Sequence, residues 1–416
     1  SGLPLGRQWG KIPLFELSAD SASIQIGELY PWLISFETLA KMFKGYKATQ
    51  GKLMLADLAF KGPVGASKSW QFRLAGDITA MDLVSDSFKE PVFIKTAHFI
   101  ARDTPATAGV NGRIDLSHVR IGWEDSLINI QGSATFSEGA LALEMQLTTD
   151  RLNWKQIDQI ASTEKATAAE NQLKLRGGLI VELENFTYET FSWRPVHADI
   201  TFDKYDTRIV VRRADLCGFQ FPGIFKISGD TLELNFNPVA KTLDLDSSLT
   251  CLFDKQNLMA GSFNLNGALL AKARPSAFPK SLTGNLTFNS SDGRIYRFGM
   301  LAKIFALLNV TEIYRGEVPD LKGEGFAYNS MTANGIFEDG KLIIKDTTID
   351  SPSMGIAIEG KIDLIKKKVN LVVLVAPFKT VDRIVKLIPL FGNIMRGNLI
   401  SIPFRAIGDL GDPDVI

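Results

Sequence analysis

Apolar and polar residues alternate with a period of two through most of this chain. In the stretch TLELNF, Leu232, Leu234 and Phe236 are separated by Glu233 and Asn235. Successive side chains of a β-strand point to opposite faces of its sheet, so such a segment has one apolar face and one polar face. Because the pattern recurs in segment after segment, the sequence predicts a mostly β protein whose strands share an apolar face.

The alternation also predicts which residues line this apolar face. The segments LALEMQL, TLELNF, GSFNLNG and MGIAIEGKIDL fit the pattern, and KTLDLDSSLTCLF (241–253) is predicted to be a further strand of the same kind. Glycine, Asn-Gly or Asp-Gly steps separate many of these segments, as hairpin turns require. The candidate lining residues are Leu141, Leu143, Met145, Leu232, Leu234, Phe236, Leu243, Leu245, Leu249, Phe263, Leu265, Leu286, Phe288, Met354, Ile356, Ile358 and Ile362.

Three longer segments share a loose repeat. They are RIGWEDSLINIQGSATF, VVRRADLCGFQFPGIFKISGDTLEL and IIKDTTIDSPSMGIAIEGKIDL. Each predicts a strand, a turn, a short strand that ends in glycine (Gly132, Gly229 or Gly360) and then another strand. A degenerate repeat of this kind indicates a meander built from similar hairpins.

Helical periodicity is confined to three places. Residues 28–45 and 299–309 carry apolar residues at helical spacing, and an interrupted helix is predicted near 380–396. Thr380 suits the start of this terminal helix, and Pro389 ends or kinks its first part. Its apolar stripe is predicted to plug the last hydrophobic layer, to dock on a membrane or partner, or to do both. The stripe consists of Val381, Ile384, Val385, Ile388, Leu390 and Phe391.

The segment ASTEKATAAENQ (161–172) lacks apolar periodicity and is rich in small and polar residues. It is predicted to be a loop that separates two β regions. The N-terminal region is then 1–165, with the first predicted helix, and the C-terminal region is 172–416, with the other two.

Charge and hydropathy exclude two classes of protein. Lys and Arg together number 46, as do Asp and Glu, so the formal net charge is zero. A nucleic-acid-binding protein needs a basic surplus, so no nucleic-acid partner is predicted. No segment reaches the roughly 18–20 uninterrupted apolar residues of a membrane span. The apolar run VNLVVLVAPF (369–378) is too short for a span and is predicted to be a strand buried on both faces.

The two cysteines, Cys217 and Cys251, leave two interpretations open. They form one disulfide in an oxidising compartment, or they are unrelated residues of the core. Their spacing fits no zinc-binding pattern.

Residues for catalysis are not apparent. His98, His118 and His197 each lie alone in a strand-like segment. No nucleophile elbow, zinc-protease motif or phosphate-binding loop occurs, and the carboxylates fall on polar strand faces. The sequence therefore predicts a protein that is not an enzyme, with no cofactor and no metal site.

An apolar sheet face must be covered, and two arrangements would do this. The sheet folds onto itself as a closed sandwich, or the face lines a groove that stays partly open to an apolar ligand. The chain offers few helices to cover the sheet, and this favours the groove.

Four segments near the C-terminus occur in a distinctive order. They are GRIYRFGMLAKIFALLNVTEIYRGEVPDL (293–321), DSPSMGIAIEGKIDL (350–364), VAPFKTVDRIVKLIPLFGNIMRG (375–397) and IGDLGDPDV (407–415). In this series the chain resembles the AsmA-like family of periplasmic repeating β-groove proteins, and above all its long members. The resemblance covers about 275–416 and extends in weaker form to about 172.

The resemblance implies an elongated, curled antiparallel sheet, taco-like in section and capped by a few short amphipathic helices. It implies a protein that carries phospholipid acyl chains along a hydrophobic groove between the inner and outer membranes of a Gram-negative envelope. The implied location is the periplasm, with a tether to the inner membrane through an N-terminal segment absent from this chain.

The implied partners are phospholipid or another acyl lipid, membrane surfaces at one or both ends, and envelope proteins. The alternative is a non-catalytic periplasmic scaffold, or an outer-membrane assembly factor, with a closed β core. An accessible apolar face would distinguish the groove from this alternative.

Overall fold

The computed structural model describes residues 14–35, 45–63, 71–85, 88–103, 112–137, 140–159, 174–204, 206–297, 299–310, 325–377 and 401–416. The chain divides into two compact units, unit 1 (Ser1–Thr207) and unit 2 (Arg208–Ile416). Within the described residues the chain is mostly β-strand with a few short helices, which confirms the predicted fold class. The loop predicted at 161–172 lies outside the described residues.

Unit 1 consists largely of strands of 12 to 15 residues, because its alternating segments are long. Its strands are β1 (Leu14–Ala19), β2 (Ala22–Gln25), β3 (Tyr46–Ala48), β4 (Lys52–Pro63), β5 (Gln71–Ser85), β6 (Val92–Asp103), β7 (Gly112–Trp123), β8 (Ser126–Ser137), β9 (Ala140–Asn153), β10 (Lys174–Tyr188), β11 (Phe191–Trp193) and β12 (Val196–Asp203). Its described helices are α1 (Ile26–Leu33) and α2 (154–159).

Strands β4 to β9 form an antiparallel meander in which each strand pairs with the next. The short β1 and β2 both pair with β4, and β3 pairs with β5. Strand β10 runs parallel to β9 and antiparallel to β12 and β11. This parallel pairing is an exception to the predicted antiparallel arrangement.

Unit 2 begins within the next strand and contains longer strands towards its C-terminal side. Its strands are β13 (Asp206–Leu216), β14 (Phe219–Gln220), β15 (Gly223–Ser228), β16 (Thr231–Phe236), β17 (Val239–Asp244), β18 (Met259–Ala273), β19 (Thr283–Ile295), β20 (Phe326–Glu338), β21 (Lys341–Asp350), β22 (Met354–Asp363), β23 (Lys368–Pro377), β24 (Ile402–Asp409) and β25 (Pro413–Val415). Its described helices are α3 (Leu245–Phe253), α4 (Phe278–Ser281) and α5 (Gly299–Val310).

Strands β18 to β25 form an antiparallel meander. Strands β16 and β17 pair with different parts of β18, and β15 pairs with β16. Strand β23 is buried on both faces, as predicted, since Val373 and Val375 are buried on one face and Leu374 and Ala376 on the other.

One of the three predicted helices falls wholly within described residues. Helix α5 confirms the prediction at 299–309. Helix α1 (Ile26–Leu33) covers the start of the helix predicted at 28–45, and residues 36–44 of that prediction lie outside the described residues. The terminal helix predicted near 380–396 lies outside the described residues. No helix in the described ranges is long and apolar enough to span a bilayer.

The segment 243–253 is a strand only as far as Asp244, so the prediction of one strand over its whole length is wrong. The Asp244 carboxylate caps α3 by accepting a hydrogen bond from the Ser247 backbone N–H at 2.8 Å. The hydrogen bonds from Ser247 also lower the pKa of Asp244. Leu245 and Leu249 then follow at helical spacing. Local capping therefore overrides the short alternating pattern.

The sequence repeat corresponds to a local backbone arrangement. In unit 1, a bulge in β7 follows Leu116, whose partner in β8 is Gly132. In unit 2, a bulge in β21 follows Ile344, whose partner in β22 is Gly360. Both glycines have positive φ angles, 135° and 142°, in the middle of their strands. The prediction that these two glycines end strands is therefore wrong, because they kink strands that continue.

Only glycine fits these two kinks. A Cβ atom on Gly132 would lie 2.1 Å from the Glu144 carbonyl oxygen, and one on Gly360 would lie 2.3 Å from the Asn370 carbonyl oxygen. In both places the neighbouring strand occupies the space of the missing side chain. We refer to each bulge with its facing glycine as a bulge–glycine pair.

Glu359 lies beside the bulge–glycine pair of unit 2. Burial raises the pKa of its carboxyl group, the Asp346 carboxylate raises this pKa further, and Lys345 lowers it. Because the folded-state pKa is raised, this group contributes stability at low pH that is lost as the pH rises through the folded pKa.

We therefore expect Glu359→Gln to raise the thermal unfolding midpoint at neutral pH. This gain in the unfolding midpoint should disappear at pH values well below the ordinary glutamate pKa of about 4.3. Thermal melts followed by circular dichroism at several pH values would measure this difference. A variant no more stable than the parent protein at neutral pH would contradict the expectation.

Candidate functional site

Apolar residues from eight neighbouring strands of unit 1 form one continuous cross-strand row. Each member faces the next across a backbone pairing, from β4 through β5 to β10 and on to β12. No member carries a polar or charged side chain. The row consists of Leu55, Gly76, Phe99, Leu116, Gly132, Met145, Leu179 and Ile200.

A second apolar row runs next to the first across the same eight strands. Neighbouring strands lie about 4.8 Å apart, so the seven steps between eight strands give each row a length of roughly 34 Å. The apolar face of unit 1 is therefore a strip that runs across the strands. The second row consists of Leu58, Leu74, Ala101, Ile114, Ala134, Leu143, Gly177 and Phe202.

The part of this strip in β9, β10 and β12 is accessible to solvent. Leu143, Met145, Leu179 and Phe202 are half-buried, and none of them belongs to the fully buried core. Glu144 lies between two of these residues in β9 and is exposed on the opposite face. A ligand that approached the apolar face would thus meet hydrocarbon side chains along several neighbouring strands.

One edge of the strip is closed. Trp123, Val92 and Ile128 are buried together there. The side chain of Gln156, from α2, is completely buried at the same edge, and its Nε2 donates to the Trp123 carbonyl oxygen at 3.2 Å and to Ser126 Oγ at 3.0 Å. These hydrogen bonds fix α2 against the strand ends. The β4 end of the strip is closed as well, because Leu55 is buried in one cluster with Ile26 of α1 and Leu58 and Leu74 pack against that cluster.

Unit 2 carries a comparable row across nine strands, β15, β16 and β18 to β24. Phe236, Leu269 and Leu342 of this row are half-buried, whereas Val369 is buried. The row is therefore accessible on its β16 side and closed on its β23 side. Its members are Gly223, Phe236, Leu269, Gly284, Phe337, Leu342, Ile362, Val369 and Gly408.

Helix α5 seals part of the apolar face of unit 2. Its residues Leu301, Ile304 and Leu308 have no exposed surface, and they share one cluster with Met354 and Ile356 of β22. Because the helix is largely apolar, it can lie buried on the sheet.

The C-terminal segment GDPDV holds α5 in this position. The Lys303 ammonium group donates to Asp412 Oδ1 at 2.6 Å and to the Pro413 carbonyl oxygen at 2.8 Å. Two of the segments that carry the family resemblance thus contact each other in the fold.

Helix α3 seals a second part of the same face. Leu245 is buried in one cluster with Phe263 of β18, and Leu249 packs against that cluster. A disulfide between Cys217 and Cys251 ties α3 to the turn after β13. Of the two interpretations of the cysteines, the structure therefore shows the disulfide.

The predicted lining residues fall into two groups by burial. The half-buried group consists of Leu141, Leu143, Met145, Leu232, Leu234, Phe236, Leu243, Leu249, Leu286, Phe288 and Ile362. The sealed group consists of Leu245, Phe263, Leu265, Met354, Ile356 and Ile358. An apolar ligand would contact the sheet at the first group, apart from Leu249, which lies on α3.

Sequence reasoning missed most of the unit 1 strip outside β9. The alternation of HADITF, in β12, was the clearest available signal, since it places Ile200 and Phe202 on one face. The apolar stripe predicted for terminal docking, from Val381 to Phe391, lies outside the described residues, so its role stays a prediction.

The polar face of unit 1 carries the histidines. His98 and His118 line one shallow depression of about 660 Å³, and His197 lines another of about 390 Å³. His98 Nδ1 lies 2.9 Å from Asp77 Oδ1. Within the described ranges, no group of three or more His, Cys, Asp or Glu side chains is placed to hold a metal ion. These depressions are shallow and open, and the histidines that line them lie on the opposite face from the apolar strip.

Comparison with known proteins gives one match. The family model described as YhdP protein matches residues 111–402, which is more than half of the chain. No curated protein and no solved structure matches the chain.

Proposed function

Because the chain belongs to the YhdP family, we propose that its apolar sheet faces carry phospholipid acyl chains between the inner and outer membranes of a Gram-negative envelope. Membership of this family confirms the resemblance found in the sequence and indicates an envelope role related to lipid transport. The proposed location is the periplasm, with a tether to the inner membrane.

The observation that carries the proposal is the accessible strip of unit 1. Two rows of apolar residues cross eight strands without a polar side chain, and their part in β9, β10 and β12 is only half-buried. Burial of each methylene group is worth about 0.8 kcal/mol, so two chains of about 16 carbons would cost on the order of 25 kcal/mol to expose to water. A continuous apolar strip would lower that cost at each step of movement.

The proposed mechanism involves no bond making or breaking. Acyl chains would lie along the rows while the head group stays in water at the accessible edge, and the protein would supply a low-energy path. We accordingly propose that the chain is not an enzyme and that its ligand is phospholipid or another acyl lipid.

The burial in unit 2 favours a second candidate function. Helices α3 and α5 seal Phe263, Met354 and Ile356, as a closed β core would require. A scaffold or outer-membrane assembly factor would need no accessible face. The two functions differ in whether lipid contacts Leu143 in unit 1 and Leu234 in unit 2.

Site-specific photo-crosslinking in cells tests this difference. A photoreactive side chain at Leu143 should form adducts with lipid, because this position is half-buried in the accessible part of the strip. The same group at Glu144 is the matched control, since that position is exposed on the opposite face of the same strand. We expect several-fold more lipid adduct at Leu143 than at Glu144.

The equivalent pair in unit 2 is Leu234 and Glu233. Equal adduct yields within both pairs, together with purified protein that contains no lipid by native mass spectrometry, would support the scaffold and overturn the transport proposal. Adducts confined to Leu143 would limit the lipid path to unit 1.

A further inference from the structure

The turn between β22 and β23 differs in character from the other described hairpin turns. It reads Leu364–Ile365–Lys366–Lys367, and we call it the lysine turn. Several other described turns carry acidic residues, such as Glu124 and Asp125 after β7, or Asp339 after β20. The lysine turn thus combines two aliphatic and two basic side chains in four consecutive residues.

The aliphatic side chains of the lysine turn are exposed. Leu364 is 40% exposed and Ile365 is 45% exposed, and Leu410 in the adjacent turn is 45% exposed. The Leu410 backbone N–H donates to the Lys367 carbonyl oxygen at 2.9 Å, so the two turns are held side by side. Three large aliphatic side chains therefore face water at one place in unit 2.

The lysine turn also carries two exposed positive charges. Lys368, which begins β23, forms an ion pair with Asp409 at 2.9 Å. Lys366 and Lys367 are exposed, and neither has an ion-pair partner among the described residues. The Asp363 carboxylate accepts backbone hydrogen bonds from Ile365 at 3.1 Å and from Lys366 at 2.8 Å.

The same hydrogen bonds make the turn preorganised. The Leu364 backbone N–H also donates to the Gly340 carbonyl oxygen at 3.0 Å, so the turn is fixed to the β20–β21 turn on its other side. A surface that is already ordered loses little conformational entropy when it binds.

We propose that the lysine turn docks on an anionic bilayer surface. Lysine side chains beside anionic lipid gain electrostatic energy, while exposed aliphatic side chains enter the boundary between head groups and acyl chains. A protein partner fits less well, because a specific protein interface buries roughly 1,200–2,000 Å² and these few side chains offer much less. Ile362 and Val369, the second pair before the turn, belong to the apolar row of unit 2. Docking would therefore bring one end of β22 and β23 to the membrane.

This inference rests on the proposed function only for its biological setting, because membrane binding can be measured without transport. Flotation of the full chain with phosphatidylcholine vesicles, with and without phosphatidylglycerol, provides the measurement. We expect the protein to float with vesicles that contain phosphatidylglycerol, and we expect added salt to release it, since salt screens exposed charges.

The first test variant is Lys366→Gln with Lys367→Asn. Asparagine is chosen because Lys367 has a φ of 53°, which asparagine tolerates. Each lysine near an anionic surface contributes electrostatic binding energy. We therefore expect the loss of two lysines to lower the partition coefficient of this variant between vesicles and water roughly thirty-fold. Leu364→Ser with Ile365→Ser should also weaken binding, and it leaves the charge unchanged.

The matched control is Lys241→Gln with Lys255→Gln. Both residues are exposed in unit 2, and this variant loses the same charge at a different place. The proposal is overturned if the control loses as much binding as the first variant, if neutral vesicles bind equally well, or if the parent protein does not float.

Lipid content separates this inference from the proposed function. Lysine-turn variants should retain the lipid that co-purifies with the parent protein, because they leave the apolar rows intact. If the parent protein contains no lipid but still floats with anionic vesicles, the transport proposal fails and the docking proposal stands.

Discussion

Replacing Gly360 with alanine is expected to lower the free energy of unfolding of unit 2 by about 3–6 kcal/mol. The φ angle of 142° at this position is one that a residue with a side chain rarely adopts. The added Cβ would also lie 2.3 Å from the Asn370 carbonyl oxygen and 2.8 Å from Leu371 Cα. Both contacts involve the backbone of β23, which is buried on both faces, so the strand has little room to move away.

Urea unfolding followed by far-ultraviolet circular dichroism measures this loss. Gly299→Ala is the control in the same unit, since a Cβ there meets no atom within 4 Å and its φ is not positive. Gly132→Ala should have a similar cost in unit 1, because its Cβ would lie 2.1 Å from the Glu144 carbonyl oxygen. If Gly360→Ala unfolds at the same urea concentration as Gly299→Ala, the role assigned to the bulge–glycine pair is wrong.

Removal of the disulfide is the second large effect. Cys217 and Cys251 are separated by 34 positions in the chain. A cross-link over a loop of that length lowers the entropy of the unfolded chain enough to stabilise the fold by about 4 kcal/mol. We expect Cys217→Ser with Cys251→Ser to lose most of this stability, and α3 should be the first element to detach because the disulfide is its covalent tie to the turn after β13.

The position of the tryptophans makes this prediction specific. All six tryptophans lie before residue 208, so their fluorescence reports on unit 1. The double serine variant should shift the circular dichroism transition to lower urea and leave the fluorescence transition in place. The parent protein with reductant should behave like the variant. A shift of both transitions together, or of neither, would contradict the assignment of the disulfide to the stability of unit 2.

The sequence was sufficient to predict the fold class. Alternation in segments such as TLELNF and MGIAIEGKIDL gives a strand because the side chains of a strand alternate between faces, and the strands β16 and β22 follow these segments. Helix α5 was equally predictable, because its apolar residues recur at helical spacing and the whole segment has only one charge, on Lys303. A strongly periodic segment forms the secondary structure that its pattern predicts when its tertiary contacts favour the same structure.

The apolar strip of unit 1 was harder to predict because bulges shift the phase of the alternation. In β7, Leu116 and Val119 face the same side although three positions separate them, since the bulge adds one residue between them. Strict period-two counting assigns Val119 to the wrong face. The location of a bulge depends on the partner strand, which a single sequence does not reveal.

The two sealed regions could not be predicted for a different reason. Leu245 fits an alternating strand as well as a helix, and the outcome depends on the hydrogen bond from Ser247 to the Asp244 carboxylate. Which apolar residues a helix covers is likewise a property of packing. Accessible Leu143 and sealed Ile356 both lie in alternating segments of the sequence, but they have different neighbours in the fold.

The recurrence of the bulge–glycine pair has a consequence for how chains of this type change in length. A hairpin that carries its own pair keeps its apolar residues on the correct face, whereas a slip of one residue would turn every side chain over. Duplication of such a hairpin would therefore add two strands, and roughly 10 Å of further reach, without disturbing the strands already present. Evolution could adjust the span of the protein to a wider or narrower gap by copying or deleting whole modules.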